Sequence, residues 1–176
     1  MAVAFPVSLL QPNLSLKDTI LQLTPDLIKS HGLRGLVLDV DDTLVPTWDR
    51  EVPPEVLIWL NQTKSIVDLW LVSNNVSHAR IHRIATAMDL PYLLRAGKPS
   101  RRKIRQAVEA MNLPIEQIGM VGDRIFTDVL AGNRLGMFTI LVRPMGDPTR
   151  FDQKLMLRSF EIWLSKRLGA TLAPDA

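Results

Sequence analysis

The sequence predicts an α/β fold in which a parallel sheet of about five strands is covered by helices on both faces. Short runs rich in Val, Leu and Ile recur at Gly35–Asp39, Asp68–Ser73, Tyr92–Arg95, Ile118–Gly122 and Met137–Val142. Such near-continuous apolar runs are the pattern of strands buried on both sides. Between them lie segments with helical spacing, and alternation of strand and helix at these lengths implies parallel pairing.

The elements follow in chain order. Met1 to Leu10 is apolar, lacks a basic leader and is interrupted by Pro6, so it is a poor signal peptide. Thr24-Pro25-Asp26 predicts an N-cap, a first-turn proline and a first-turn acid, with Gly32 closing a short helix. A loop and one helix, Pro54 to Ser65, fill the interval before the second strand. Ile81, Ile84, Ala85 and Met88 recur at helical spacing, as do Ile104, Ala107, Val108 and Met111. The expected organisation is one domain over residues 1–176, with a core at about 30–145. A helical lead-in precedes the core and an amphipathic helix follows it at about 150–168.

Composition narrows the setting. The chain has 176 residues, 47% of them hydrophobic, enough for a substantial core. It has no Cys, so a disulfide framework and thiolate metal sites are excluded, which fits a cytoplasmic or equivalent reducing compartment. No apolar run approaches the roughly 18 residues needed to cross a membrane. The formal net charge is +3, with the basic residues clustered.

In open parallel sheets, ligands bind beyond the carboxyl ends of the strands. The first strand runs into Asp39-Val40-Asp41-Asp42-Thr43. Three carboxylates at the end of an apolar run are costly without a cation or hydrogen bonds. One carboxylate can attack phosphorus and a second can protonate the leaving oxygen and then activate water. The second strand ends at Ser73-Asn74-Asn75, the third is followed by Lys98, and the fourth ends in Gly122-Asp123 with Asp128 beyond. Magnesium takes oxygen ligands and needs only one or two carboxylates, which Asp39 and Asp123 would supply. Taken singly, each feature could be a solvated turn, a helix cap or a surface charge. The joint pattern is what points to phosphoryl transfer: a carboxylate pair, a hydroxyl, a lysine and an acidic pair at successive strand ends.

These residues resemble the motifs of the haloacid dehalogenase (HAD) superfamily. Asp39 to Thr43 looks like DxDxT, Ser73 and Lys98 like the second and third motifs, and Gly122-Asp123 to Asp128 like GDxxxxD. Several runs are similar to the YqeG family of subclass IIIA phosphatases. These are Leu44-Val45-Pro46, Val72-Ser73-Asn74-Asn75, Arg95-Ala96-Gly97-Lys98-Pro99, Gly122 to Asp128 and Gly132 to Met137. The likeness covers roughly residues 10 to 160 and extends to phosphatidylglycerophosphate phosphatases. It implies a Rossmann-like three-layer sandwich and a phosphomonoesterase working through an aspartyl-phosphate.

The resemblance also implies roles. Asp39 would be the nucleophile and Asp41 the acid and base, with Ser73, Asn74 and Lys98 on the phosphoryl oxygens. Mg2+ would be held by Asp39, Asp123 and the backbone carbonyl of Asp41, with Thr43 and Asp128 in support. Asp42 stands where that family often has Asn, adding negative charge near the metal.

About 29 residues separate Thr43 from Ser73, and the next interval is also short, leaving no room for a sizeable cap over the site. An uncapped site suits a phosphate on a large partner or at a surface. The implied partner is a phosphorylated substrate; a lipid-linked phosphate at an anionic membrane surface is the leading reading, the alternatives being a phosphatase acting on a soluble metabolite, protein or nucleic-acid phosphate and a non-catalytic binding module with the same fold. Arg95, Lys98, Arg101, Arg102, Lys103 and Arg105 form a basic stretch without an acid. Phe160, Trp163, Leu164 and Leu168 interleave with Lys154, Arg158, Lys166 and Arg167 near the end of the chain. No aromatic-rich single-strand platform is present, so nucleic acid is not an expected partner.

Overall fold

A computed structural model describes residues 6–146, 153–167 and 169–170, with the side chains of the last helix described from residue 159 onward. The chain forms β1 (Leu14–Ser15), α1 (Pro25–Ser30), β2 (Gly35–Leu38), α2 (Pro54–Thr63), β3 (Asp68–Val72), α3 (His78–Met88), β4 (Tyr92–Leu93), α4 (Arg102–Met111), β5 (Ile118–Gly122), α5 (Leu130–Leu135), β6 (Phe138–Leu141) and α6 (Gln153–Arg167). All strand pairs are parallel, in the order β1-β6-β5-β2-β3-β4.

Period-two alternation along the strands separates two cores. Leu36, Leu38, Leu69 and Leu71 enter one cluster, with Val56, Trp59 and Leu60 of α2 and Ile81, Ile84, Ala85 and Met88 of α3. Val37, Val72 and Met120 point the other way, into a cluster with Ile104, Ala107, Val108 and Met111 of α4. The helical spacing read from the sequence therefore marks the inward faces of α3 and α4. The caps of α1 are also as expected: Thr24 accepts from the N–H of Leu27 at 3.3 Å, Pro25 starts the helix, and Gly32 follows with φ +66°.

Among the described residues the sheet has six strands rather than about five. The additional strand, β1, is two residues long, too short to show periodicity. Its place is set by distant polar contacts. The Asn133 amide donates to the carbonyls of Leu9 and Gln11, both at 2.9 Å. The N–H of Thr139 donates to Asn13 Oδ1 at 2.8 Å. The third strand is shorter than its apolar run, Tyr92–Leu93 rather than Tyr92–Arg95, because Arg95 turns out of extended conformation at φ +52°.

Chain order explains where a site can form. From β2 the chain steps through β3 to β4 on one side, then returns to build β5 and β6 on the other. The order reverses between β2 and β5, where diverging connections leave a crevice beyond the strand ends. In that pair Leu38 stands opposite Val121. Asp39 and Asp123 therefore emerge on either side of the reversal.

Asn133 ties the N-terminal segment to α5, and Asn133→Ala would strand buried or half-buried carbonyls. We expect it to lower unfolding free energy by about 1–3 kcal/mol in urea titration, while phosphatase activity per folded molecule is retained.

Candidate active site

The turn after β2 is built by apolar anchoring. Val40, Leu44 and Val45 are fully buried, and the N–H groups of Leu44 and Val45 return to the carbonyl of Val40 at 3.0 and 3.1 Å. Asp42 occupies the left-handed region at φ +61°. Among residues with a side chain, Asn and Asp adopt it most readily. The Asp42 carboxylate accepts from the N–H and the hydroxyl of Thr47 at 2.8 and 2.6 Å. It braces the loop, and it is not part of the compact carboxylate group described below.

That group is Asp39, Asp123 and Asp128, each buried, with one carboxylate oxygen from each lying within 4.8 Å of the others. Lys98 stands against it. Its Nζ is 2.5 Å from Asp39 Oδ1, 2.7 Å from Asp128 Oδ1 and 3.0 Å from the carbonyl of Val72. The Lys98 side chain is only 2% exposed. Thr43 Oγ1 donates to the other oxygen of Asp39 at 3.4 Å.

Asp128 arrives through an unusual local path. Residues Ile125–Val129 wind as a single wide π turn, a form often found at functional sites. Asp128 Oδ2 accepts from the N–H of Arg124 at 3.3 Å. The turn brings the carboxyl so close to the end of β5 that a Cβ on Gly122 would lie 2.3 Å from it. Glycine is required there by contact.

Asp41 sits apart from the three. Ser73 Oγ donates to its Oδ2 at 3.1 Å, Asn75 Nδ2 lies 3.2 Å from both of its oxygens, and Arg80 Nη1 is 2.5 Å from Oδ1. Asn74 lines the cleft and also bonds the backbone of Lys98: Lys98 N–H donates to Asn74 Oδ1 at 2.7 Å and Asn74 Nδ2 donates to the Lys98 carbonyl at 3.1 Å. All the residues read from the strand ends thus meet at one edge. Asp39, Asp41, Asn74, Lys98 and Asp123 line a cleft of about 240 Å3.

Arg80 is absent from the sequence reading, and Arg124 stands in it only as part of the Gly122 to Asp128 run, with no role given. Arg80 carried one weak signal, a cation in the first turn of a helix, where the dipole favours acids. Arg124 carried none. Its ion pair with the buried Glu161 joins the residue after Asp123 to α6, a contact between segments distant in sequence.

The charges are unevenly matched. Burial pushes the Asp39 carboxyl up to about 7; Lys98 opposes this, while Asp128 and Asp41 add to it. Burial works against the Lys98 ammonium, but Asp128 and Asp39 outweigh it and hold its pKa above the ordinary lysine value. Three buried carboxylates against one ammonium, with oxygen as the only donor type, form a set that fits a hard divalent cation such as magnesium.

A family model described as HAD-hydrolase-like matches residues 95–147. The protein is 34% identical over 145 residues to the probable phosphatase YqeG of Bacillus subtilis, covering 79% of this chain and 83% of that one. The chain belongs to the YqeG family of HAD-type phosphatases. It is a phosphoric monoester hydrolase. This YqeG-family chain is also 29% identical over 161 residues to the chloroplastic phosphatidylglycerophosphate phosphatase 1 of Chlamydomonas reinhardtii. It is 25% identical over 171 residues to the chloroplastic/mitochondrial protein of that name from Arabidopsis thaliana. The matches span 59% and 49% of those two longer proteins. Among solved structures, magnesium-bound YfnB of Bacillus subtilis superposes with a TM-score of 0.53 at 15% identity, over 66% of this chain and 90% of that one. That likeness is one of fold.

The raised Asp39 pKa has a sign that can be measured. An acid lifted from 3.8 to about 7 on folding contributes stability that is fully present below pH 3.8 and lost as pH rises through about 7. In chelator-treated protein, Asp39→Asn should therefore unfold at a higher temperature than wild type at about pH 8, with the gap closing toward about pH 4. Parallel melting curves across that range would contradict the assignment of the burden to Asp39.

Proposed function

We propose that the protein is a magnesium-dependent phosphatase that forms an aspartyl-phosphate on Asp39 and removes the terminal phosphate of a lipid head group, with phosphatidylglycerophosphate as the favoured substrate. The observation that carries the chemistry is the buried Asp39 carboxylate, fixed by Lys98 and Thr43 beside Asp123. The likeness to two phosphatidylglycerophosphate phosphatases supports the substrate.

In this reading Asp39 attacks phosphorus as the bond to the leaving oxygen breaks, and Asp41 gives that oxygen its proton. Asp41 then takes a proton from water, which attacks the aspartyl-phosphate, frees inorganic phosphate and restores Asp39. Lys98 offsets the charge of the nucleophile and transferred group, and Ser73 offers its hydroxyl at the same edge. Asn74 serves by holding the backbone of Lys98. Magnesium, held by Asp39, Asp123 and the Asp41 carbonyl with Asp128 adjoining, would supply charge neutralisation to the phosphoryl oxygens.

The surroundings of the cleft favour a substrate presented at a surface. The intervals after β2 and β3 each hold one helix, and these helices, α2 and α3, pack against the sheet instead of over the site. Trp48 and Val76, in the loops after β2 and β3, are 40% and 68% exposed. Beside the site, α6 turns Glu161 and Ser165 inward and leaves Phe160 and Trp163 exposed, with the Arg167 guanidinium 5.4 Å from the Trp163 ring centre. Phe151, Leu168 and the side chains of Lys154 and Arg158 lie outside the described residues. Arg101, just before α4, and Arg102 and Arg105 on it join Arg134 around a surface hollow of about 440 Å3 that Glu109 also lines. Among the described residues no helix is long and apolar enough to cross a membrane. Aromatic and basic side chains around an open cleft suit the interface of an anionic bilayer.

Phosphate release from phosphatidylglycerophosphate in mixed micelles should exceed release from soluble phosphomonoesters and should cease in chelator. Asp39→Asn should abolish it, and Asp41→Asn should slow it by about 10²–10⁴-fold. Full turnover by Asp39→Asn would end the nucleophile assignment, and equal turnover of soluble esters would end the lipid assignment. Co-sedimentation with vesicles should be stronger for anionic than for neutral lipid and should weaken with salt. Equal binding to both vesicle types, or to neither, would reject charge-driven docking.

A further inference from the structure

Arg80 is costly where it stands. It lies in the first turn of α3, which contains no acid, and a cation there opposes the helix dipole. Its side chain is only 11% exposed, and buried charge is tolerated when its donors are met. Each of its three nitrogens has a partner, and in a particular way. Nε donates to the carbonyl of Asp49 at 2.9 Å, Nη2 to the carbonyl of Pro46 at 3.0 Å and Nη1 to Asp41 Oδ1 at 2.5 Å. Two backbone carbonyls of one loop aim a rigid fork, and the free tine of that fork meets Asp41. A lysine could carry the charge but not the fork.

Asp41 has two chemically equivalent oxygens, and its surroundings make them different. Oδ1 takes the Arg80 guanidinium and Oδ2 accepts from Ser73 Oγ, while Asn75 Nδ2 lies 3.2 Å from both and does not distinguish them. Ser73 directly follows Val72, whose carbonyl binds Lys98 Nζ, so Oδ2 is bonded to the strand end that also holds Lys98. We infer that Arg80 is a positioning residue: by holding Oδ1 it fixes the Asp41 rotamer and presents Oδ2 to the leaving oxygen of the substrate. The inference rests on Asp41 being the acid–base group proposed above. Misplacement of a reacting group by about 1 Å can cost 10²-fold, so the effect is large enough to read.

The test compares two soluble esters. Glycerol 3-phosphate expels an alkoxide that needs a proton, and 4-nitrophenyl phosphate expels a phenolate that does not. The quantity is kcat/KM, which reports steps up to departure of the leaving group and excludes hydrolysis of the intermediate. Arg80→Gln should lose roughly 10–100-fold on glycerol 3-phosphate and less than about threefold on 4-nitrophenyl phosphate. Asp41→Asn should discriminate in the same direction, and adding Arg80→Gln to it should cost no more than about threefold further. Arg80→Lys keeps the charge without the fork and should show the same discrimination, which carries the test if Arg80→Gln does not fold. Equal losses on both esters, or losses that multiply in the double variant, would show that Arg80 only supports the fold and would overturn the inference. If Asp41→Asn itself fails to discriminate, the acid–base reading falls first and takes this one with it.

Discussion

Lys98 stands between two buried carboxylates, and the arrangement of the site follows from that contact. Its ammonium has three acceptors, Asp39, Asp128 and the carbonyl of Val72, so it has no donor left over and little freedom to move. Removing it would leave two buried carboxylates facing each other, an arrangement with a large desolvation penalty and no compensation. The surrounding structure is arranged to deliver this one cation. Asn74 clasps its backbone from the end of β3, and Gly122 gives up a side chain so that Asp128 can come within reach. The same contact limits what it can compensate. One positive charge does not balance three acids, and Asp39 retains an elevated pKa. In the proposed function, metal binding and nucleophilicity would both answer to that single electrostatic deficit.

Much of this was legible in the sequence because it is local. Apolar runs and helical spacing are properties of short windows, and the acidic turn after β2 is contiguous. The order of the strand-end residues is legible for a related reason: a parallel sheet brings successive strand ends to one edge without any knowledge of side-chain packing. What escaped is what depends on partners far away in the chain. β1 is held by Asn13, Asn133 and Thr139. The Arg124–Glu161 pair joins residues in different elements. Arg80 reaches Asp41 and the 46–49 loop at once, and nothing in its own window distinguishes it from the solvated arginines of α4.

Asn74 shows a subtler limit. Its residue type and place, one step beyond Ser73, suit a contact with phosphate. In the structure Asn74 lines the cleft and its amide also clasps the peptide groups of the lysine loop. A polar side chain at a strand end can serve a ligand directly or can hold the residue that does, and sequence position does not separate the two. Asp42 is similar: it lines the same cleft as Asp39 and Asp123, and its oxygens also brace Thr47.

The last helix is easily mistaken for an appendage, since among the described residues the last strand ends at Leu141. Arg124, adjoining Asp123, is tied to Glu161 of that helix, and Ile162 packs against the cluster that holds Leu10, Ile125 and Val129. A shortened protein ending after β6 would keep every residue of the DxDxT and GDxxxxD motifs and still lose the support behind the turn that carries Asp128. For anyone trimming the chain, fusing a reporter to its end or reading a late stop codon in a genome, the boundary of the enzyme lies well beyond its final strand.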